Sequence, residues 1–222
     1  MSARDAILAA VRKNLPRPAV PLPDDPGAGR KGVAASLGYK EHFTRMPEVQ
    51  HSHNVVGDLI SNFKKQLEGM GGRWFGIADA AAAQAKLAEL FPNAKVICSA
   101  VREIPGTRRI ESVNDPHALN DVDVGIVRST LGVAEAGAVW LTQNALQVNA
   151  LGVLSQHLIV LLDPEAIVET MHNAYSQIDL TASPYGVFMA GPSATGDIEG
   201  VIIHGAQGAR SLTVFLMGSV SQ

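Results

Sequence analysis

The chain has 222 residues, 46% hydrophobic and 18% charged, with a formal net charge of −3 at pH 7. That length buries most of its apolar surface without disulfide staples, and the composition argues against disorder over most of the chain. The 18 basic residues are spread along the chain without a dense cluster, which argues against nucleic-acid binding through phosphate contacts.

Cys98 is the one cysteine, so no intramolecular disulfide forms. An iron–sulfur cluster usually takes about four cysteine ligands, so this chain cannot hold one alone. Cys98 lies in the apolar run Val96-Ile97-Cys98 and reads as a buried structural thiol. Met1 to Asp5 lack the apolar stretch of a secretory signal, and with the cysteine usage this points to the cytoplasm.

Residues 2–15 read as a helix, with Ser2 as cap, Asp5 three positions on, and Ile7, Leu8, Val11 and Leu15 on one stripe. Residues 16–32 carry five prolines and three glycines, which leaves a linker or extended arm. The arm and helix would dock on the main body or on a second copy of the chain. Residues 54–69 read as a helix ended by Gly69, Gly71 and Gly72. A strand over 74–78 follows, then an Ala-rich helix capped by Asp79 and running to about Leu90.

Strands are expected over 95–99, 122–127, 139–142 and 157–162, with 100–121 irregular. Residues 136–162 contain no Asp, Glu, Lys or Arg, yet Gln143, Asn144, Gln147, Asn149, Gln156 and His157 interrupt them. That excludes a clean membrane span and leaves a buried core or a subunit interface. Asp163-Pro164 is expected to open a helix to about Ile178. A strand over 186–190, a short helix around 196–200, and apolar segments at 201–203 and 212–217 complete the chain. Short apolar strands alternating with helices predict an α/β fold, a three-layer α/β/α domain with a mostly parallel sheet over 50–222, preceded by residues 1–49 as helix and arm.

Four stretches carry candidate chemistry. Gly191-Pro192-Ser193-Ala194-Thr195-Gly196-Asp197 follows a strand, where open α/β sheets bind ligands, and Ser193, Thr195 and Asp197 offer polar groups. The same residues could equally cap a helix. Glu135 sits among alanines between Gly132 and Gly137, and would have a raised pKa if buried; it serves as acid, base or nucleophile, or else as an exposed turn residue or partner of Arg128. His51-Ser52-His53 lacks the third ligand of a catalytic metal site, so no metal is expected. Gly205-Ala206-Gln207-Gly208-Ala209-Arg210 is either a plain turn or a cradle for a carboxylate or phosphate with Arg210 as clamp, and His204 is either a satisfied histidine at a strand end or faces the same cleft as residues 191–200.

"GVAEAGAVWL" and "GPSATGDIEGVIIHGAQGARSLTVFL" together resemble the lactate-utilisation protein C family (LutC/YkgG, the LUD domain). Glu135, Gly137, Gly191, Pro192, Ser193, Thr195, Asp197, Ile198, Glu199, Gly205, Gly208 and Arg210 match its pattern. Ala136 and Ala138 stand for two threonines, Ala194 for an arginine, Gln207 for a histidine and Ala209 for a proline. The resemblance implies a NagB/RpiA/CoA-transferase-like fold and a part in oxidising L-lactate to pyruvate beside separate iron–sulfur subunits. Cofactors are then expected on those partners, with a small anionic metabolite bound at residues 191–210 and Arg128 or Arg210 lending charge. A stand-alone CoA-transferase-like or cycloligase-like enzyme using Glu135 or Asp197, and a small-molecule sensor, are the alternatives, so catalysis by the chain alone stays open.

Overall fold

In the computed structural model the described residues are 4, 5, 9, 13, 58–179, 183, 185–197 and 200–218. The chain divides into two compact units, Met1–Asn54 and Val55–Gln222. In the first, Arg4, Asp5, Ala9 and Lys13 are helical and exposed. The Pro-rich arm, the His51–His53 pair, the expected helix start over 54–57, and Ile198 and Glu199 lie outside the described residues.

The second unit opens with α1 (Leu59–Gly69), capped by the Asp58 carboxylate, which accepts the Ile60 N–H. Phe63 and Leu67 form its buried stripe, one turn apart. Strand β1 (Arg73–Gly76) follows the glycine turn. Asp79 then caps α2 (Ala80–Leu90) by accepting the Ala82 N–H at 2.8 Å, as its sequence position predicts. The strands after α2 are β2 (Ile97–Ser99), β3 (Arg108–Arg109), β4 (Val124–Ser129), β5 (Gly132–Val133) and β6 (Ala138–Thr142). Two single-turn helices, α3 (Gln143–Leu146) and α4 (Leu151–Leu154), precede β7 (His157–Leu162). Then come β8 (Ile167–Val168), α5 (Met171–Gln177), β9 (Gly186–Met189), β10 (Ala194–Thr195), β11 (Ile203–His204) and β12 (Ser211–Leu216).

Among the described residues, six strands form a sheet of order β1-β12-β7-β4-β2-β3. Every pairing in it is parallel. β7 sits at its centre and alternates between two cores. Leu158, Val160 and Leu162 pack with Phe63 and Leu67 of α1 and with Val139 and Leu141 of β6. Ile159 and Leu161 pack with Ala83 and Leu87 of α2 and with Phe215. Both faces of the strand are therefore dry, which explains its uninterrupted apolar sequence. At roughly 1.5–3 kcal/mol per fully buried aliphatic side chain, this strand is a principal source of stability.

The α/β class with a mostly parallel central sheet is the one expected from sequence. A second sheet, of order β8-β5-β6-β9, joins α1 in covering one face. Its β5–β8 pairing is parallel and the other two are antiparallel. Its outer side carries a third cluster in which Leu131, Val133, Trp140 and Phe188 meet Met171 and Ala174 of α5.

Two expected helices are corrected. Pro164 opens only a 3₁₀ turn, Pro164–Ala166, and Ile167 and Val168 then pair with β5. These β-branched residues suit a ladder better than a helix. The helix begins only at Met171, where Thr170 and Asn173 form a reciprocal capping box. The helix expected around 196–200 is instead a hairpin, with Ala194 opposite His204 and Thr195 opposite Ile203. Gly200, at φ +71°, turns the chain back, and Val201, Ile202 and Ile203 are again β-branched.

Candidate functional site

The segment 191–210 folds on itself at the amino ends of β7 and β12. The Ser193 N–H donates to the Ala209 carbonyl, and the Gly205 N–H donates to the Ser193 carbonyl, both at 2.9 Å. A side chain at Gly208 would sit 3.1 Å from the Ser193 Cβ, and one at Gly205 would collide with the Arg210 stem. The Arg210 N–H donates to the Gln156 carbonyl at 2.8 Å, which fixes the loop to the start of β7. Ser193, Gly205, Gly208 and Arg210 are thus brought together, while Gly191 packs against Met70. The segment does leave the carboxyl end of β9, as expected. But β9 belongs to the second sheet, so the loop reaches the amino edge of the parallel one.

Thr195, Asp197 and His204 lie on the hairpin beyond this cluster. The Thr195 hydroxyl donates to Asp197 Oδ2 at 3.2 Å and accepts the Asp197 N–H at 3.4 Å. Asp197 and His204 are exposed. With no helix here, the expected anion site on a helix N-terminus is absent among the described residues. Asp197 is held by its own turn.

Glu135 occupies the turn between β5 and β6 and is exposed rather than buried. Its Oε2 accepts the Met171 N–H at 2.9 Å, at the first turn of α5. A carboxylate there satisfies an orphan amide and answers the helix dipole. Replacing Glu135 by Gln should cost little, within about 1 kcal/mol, and should loosen α5 locally. Faster hydrogen exchange confined to the amides of 171–174 would show this; unchanged exchange there removes the role. Arg128, on β4, does not pair with Glu135. Its Nε donates to Glu103 Oε1 at 3.0 Å, and its terminal nitrogen donates to the same oxygen. Burial alone would raise the Glu103 carboxyl, but its backbone amides and the Arg128 guanidinium outweigh that and hold it below the usual range. The charge of Arg128 is therefore already committed.

Cys98 is fully buried, and burial pushes its thiol up, as a structural cysteine requires. Among the described residues no group of three or more His, Cys, Asp and Glu side chains is arranged to hold a metal ion.

No local sequence pattern marks His157 as a site residue. It opens β7, and parallel pairing sets it opposite Ser211, the residue after Arg210. His157 Nδ1 lies 2.8 Å from Ser211 Oγ, and its ring stacks on Phe91 with centroids 4.7 Å apart. His157, Arg210, Gln156, Phe91 and Asn93 line a depression of about 580 Å³ that Asp121 and Asp123 also border. The only signal in the sequence was the register between two strands about fifty residues apart, which no local pattern encodes.

A parallel-sheet α/β protein with a polar depression at the amino edge of that sheet is the class these features define. The LUD domain model matches residues 106–217, over half of the chain, and the chain belongs to the LUD domain family. A crystal structure of a DUF162 family protein from Deinococcus radiodurans shares the fold. It is 18% identical, with a TM-score of 0.57, covering 72% of this chain and 96% of that one. No curated protein matches the chain. No helix among the described residues is long and apolar enough to cross a membrane.

Proposed function

We propose that the chain is a non-redox subunit of an L-lactate oxidation system in the cytoplasm, working beside separate iron–sulfur proteins and binding a small anionic metabolite at the 191–210 loops. The observation that carries the reading is the LUD domain over residues 106–217, a domain associated with lactate-utilisation proteins. Two features of the chain agree with it. Its single cysteine is buried in the core, which is compatible with electron-carrying clusters on partner proteins. And Arg210 is exposed beside the family-matched glycines, where an anion has access.

The test is reconstitution. The purified chain alone should give no lactate-dependent reduction of an artificial electron acceptor. Adding cysteine-rich iron–sulfur proteins of a lactate-oxidation system should give turnover, and omitting this chain should remove it. Turnover by the chain alone, or full turnover without it, defeats the reading.

A further inference from the structure

We infer that the depression at the amino ends of β4, β7 and β12 is a binding site for a small carboxylate, with the Arg210 guanidinium as counter-ion and the His157 imidazole as neutral hydrogen-bond donor. This deepens the small-anion part of the proposed function and rests on it, but not on the lactate pathway.

The charges decide what the site can take. Arg210 is exposed, and among the described residues no carboxylate pairs with it. A fixed backbone and an open guanidinium fork suit a carboxylate, which can accept two parallel N–H bonds. The two acidic residues on the same wall are already engaged. Asp121 accepts both terminal nitrogens of Arg108, at 2.6 and 2.8 Å. Asp123 accepts the Lys95 and Val96 N–H groups at 2.7 and 2.9 Å. Their residual field still opposes a second negative charge. A carboxylate monoanion is therefore favoured over a phosphate dianion.

His157 supplies the neutral partner. Burial, with Arg73 and Arg210 nearby, pushes its pKa down, and Asp123 opposes this more weakly. The neutral form of the ring is therefore favoured. In the tautomer in which the Ser211 hydroxyl donates to Nδ1, the ring proton sits on Nε2 and that nitrogen is a donor; this is the tautomer the proposed site requires. Asn93 and Gln156 also line the wall. A volume of about 580 Å³ falls within the range of small-molecule sites, roughly 300–1,000 Å³.

The experiment follows the histidine side-chain NMR signals of the full chain during titration with pyruvate, L-lactate and inorganic phosphate. A carboxylate should shift the His157 signal and raise its pKa, because a bound negative charge favours the imidazolium. Arg210→Gln should raise the His157 pKa in the free protein and weaken carboxylate binding about tenfold or more, roughly the worth of one charged hydrogen bond. His157→Gln, which removes the reporter and is followed by titration calorimetry instead, should weaken it also, and circular dichroism checks that both variants fold. Failure of both carboxylates to bind, binding that survives both substitutions, or a preference for phosphate overturns the site. Carboxylate binding that follows these rules, in a chain whose omission leaves lactate turnover intact, upholds the site and sinks the pathway reading instead.

Discussion

Gly137→Ala and Gly191→Ala should each lower stability by about 3 kcal/mol or more, whereas Gly196→Ala should stay within about 0.5 kcal/mol. Two costs combine at the first pair. Gly137 has φ +60° and Gly191 φ +75°, a backbone region that costs an L side chain roughly 1–2 kcal/mol. A methyl group at Gly137 would also lie 2.2 Å from the Leu67 amide nitrogen, and one at Gly191 would lie 2.1 Å from the Met70 carbonyl oxygen. Both obstacles are backbone at the end of α1, which cannot rotate away, so overpacking adds roughly 1–3 kcal/mol. Gly196 has neither problem, since its added carbon would meet only Ile202 at an ordinary 3.5 Å. For a unit of this size the loss corresponds to about 10 °C in Tm. Equal Tm values for all three variants would refute the close approach.

That contrast explains part of the family pattern. Gly137 and Gly191 come from the two segments that carry the resemblance, and both close on the last turn of α1, between Gln66 and Met70. The motifs thus hold the second sheet and the 191–210 loop against the helix that covers the parallel sheet. Some of their residues are there for packing and leave chemistry to neighbours such as Arg210 and His157.

Much of the fold was legible because its signals are local. Asp79 announces α2 by its capping position, and the apolar run from His157 to Leu162 marks β7 at its observed ends. The 196–200 error has an equally local cause. Asp197 after a Ser/Thr pair looks like a helix start, but Gly200 and three β-branched residues close a hairpin instead. The second sheet was not separable, because β5 and β8 are two residues each and gain their identity only by pairing. The site was half legible. Arg210 stood out beside glycines, while His157 joined it only through the pairing of β7 with β12.

Arg128→Met should cost about 2 kcal/mol at pH 7, and the loss should shrink in acid. Arg128 and Glu103 are each about a quarter exposed, so the pair is neither fully dry nor freely hydrated. Removing one partner of a buried pair costs roughly 3–5 kcal/mol, and surface pairs are worth roughly 0–1, which places this one between. Methionine keeps the apolar stem but leaves Glu103 with its backbone amides alone. The pH sign follows from the direction of the Glu103 shift. Its folded pKa lies below the unfolded value of roughly 4.3, so the unfolded chain takes up the proton first as pH falls. The pair's contribution is complete above that value and is lost as pH drops through the lower, folded one. Denaturant unfolding of both proteins should therefore show the widest gap near pH 7 and a narrowing gap below about pH 4. The double variant Glu103→Gln/Arg128→Met should recover part of the loss, since it removes the stranded charge. A gap that stays constant from pH 7 to pH 3, with no recovery in the double variant, would mean that the guanidinium acts by packing on the α2 face of the sheet.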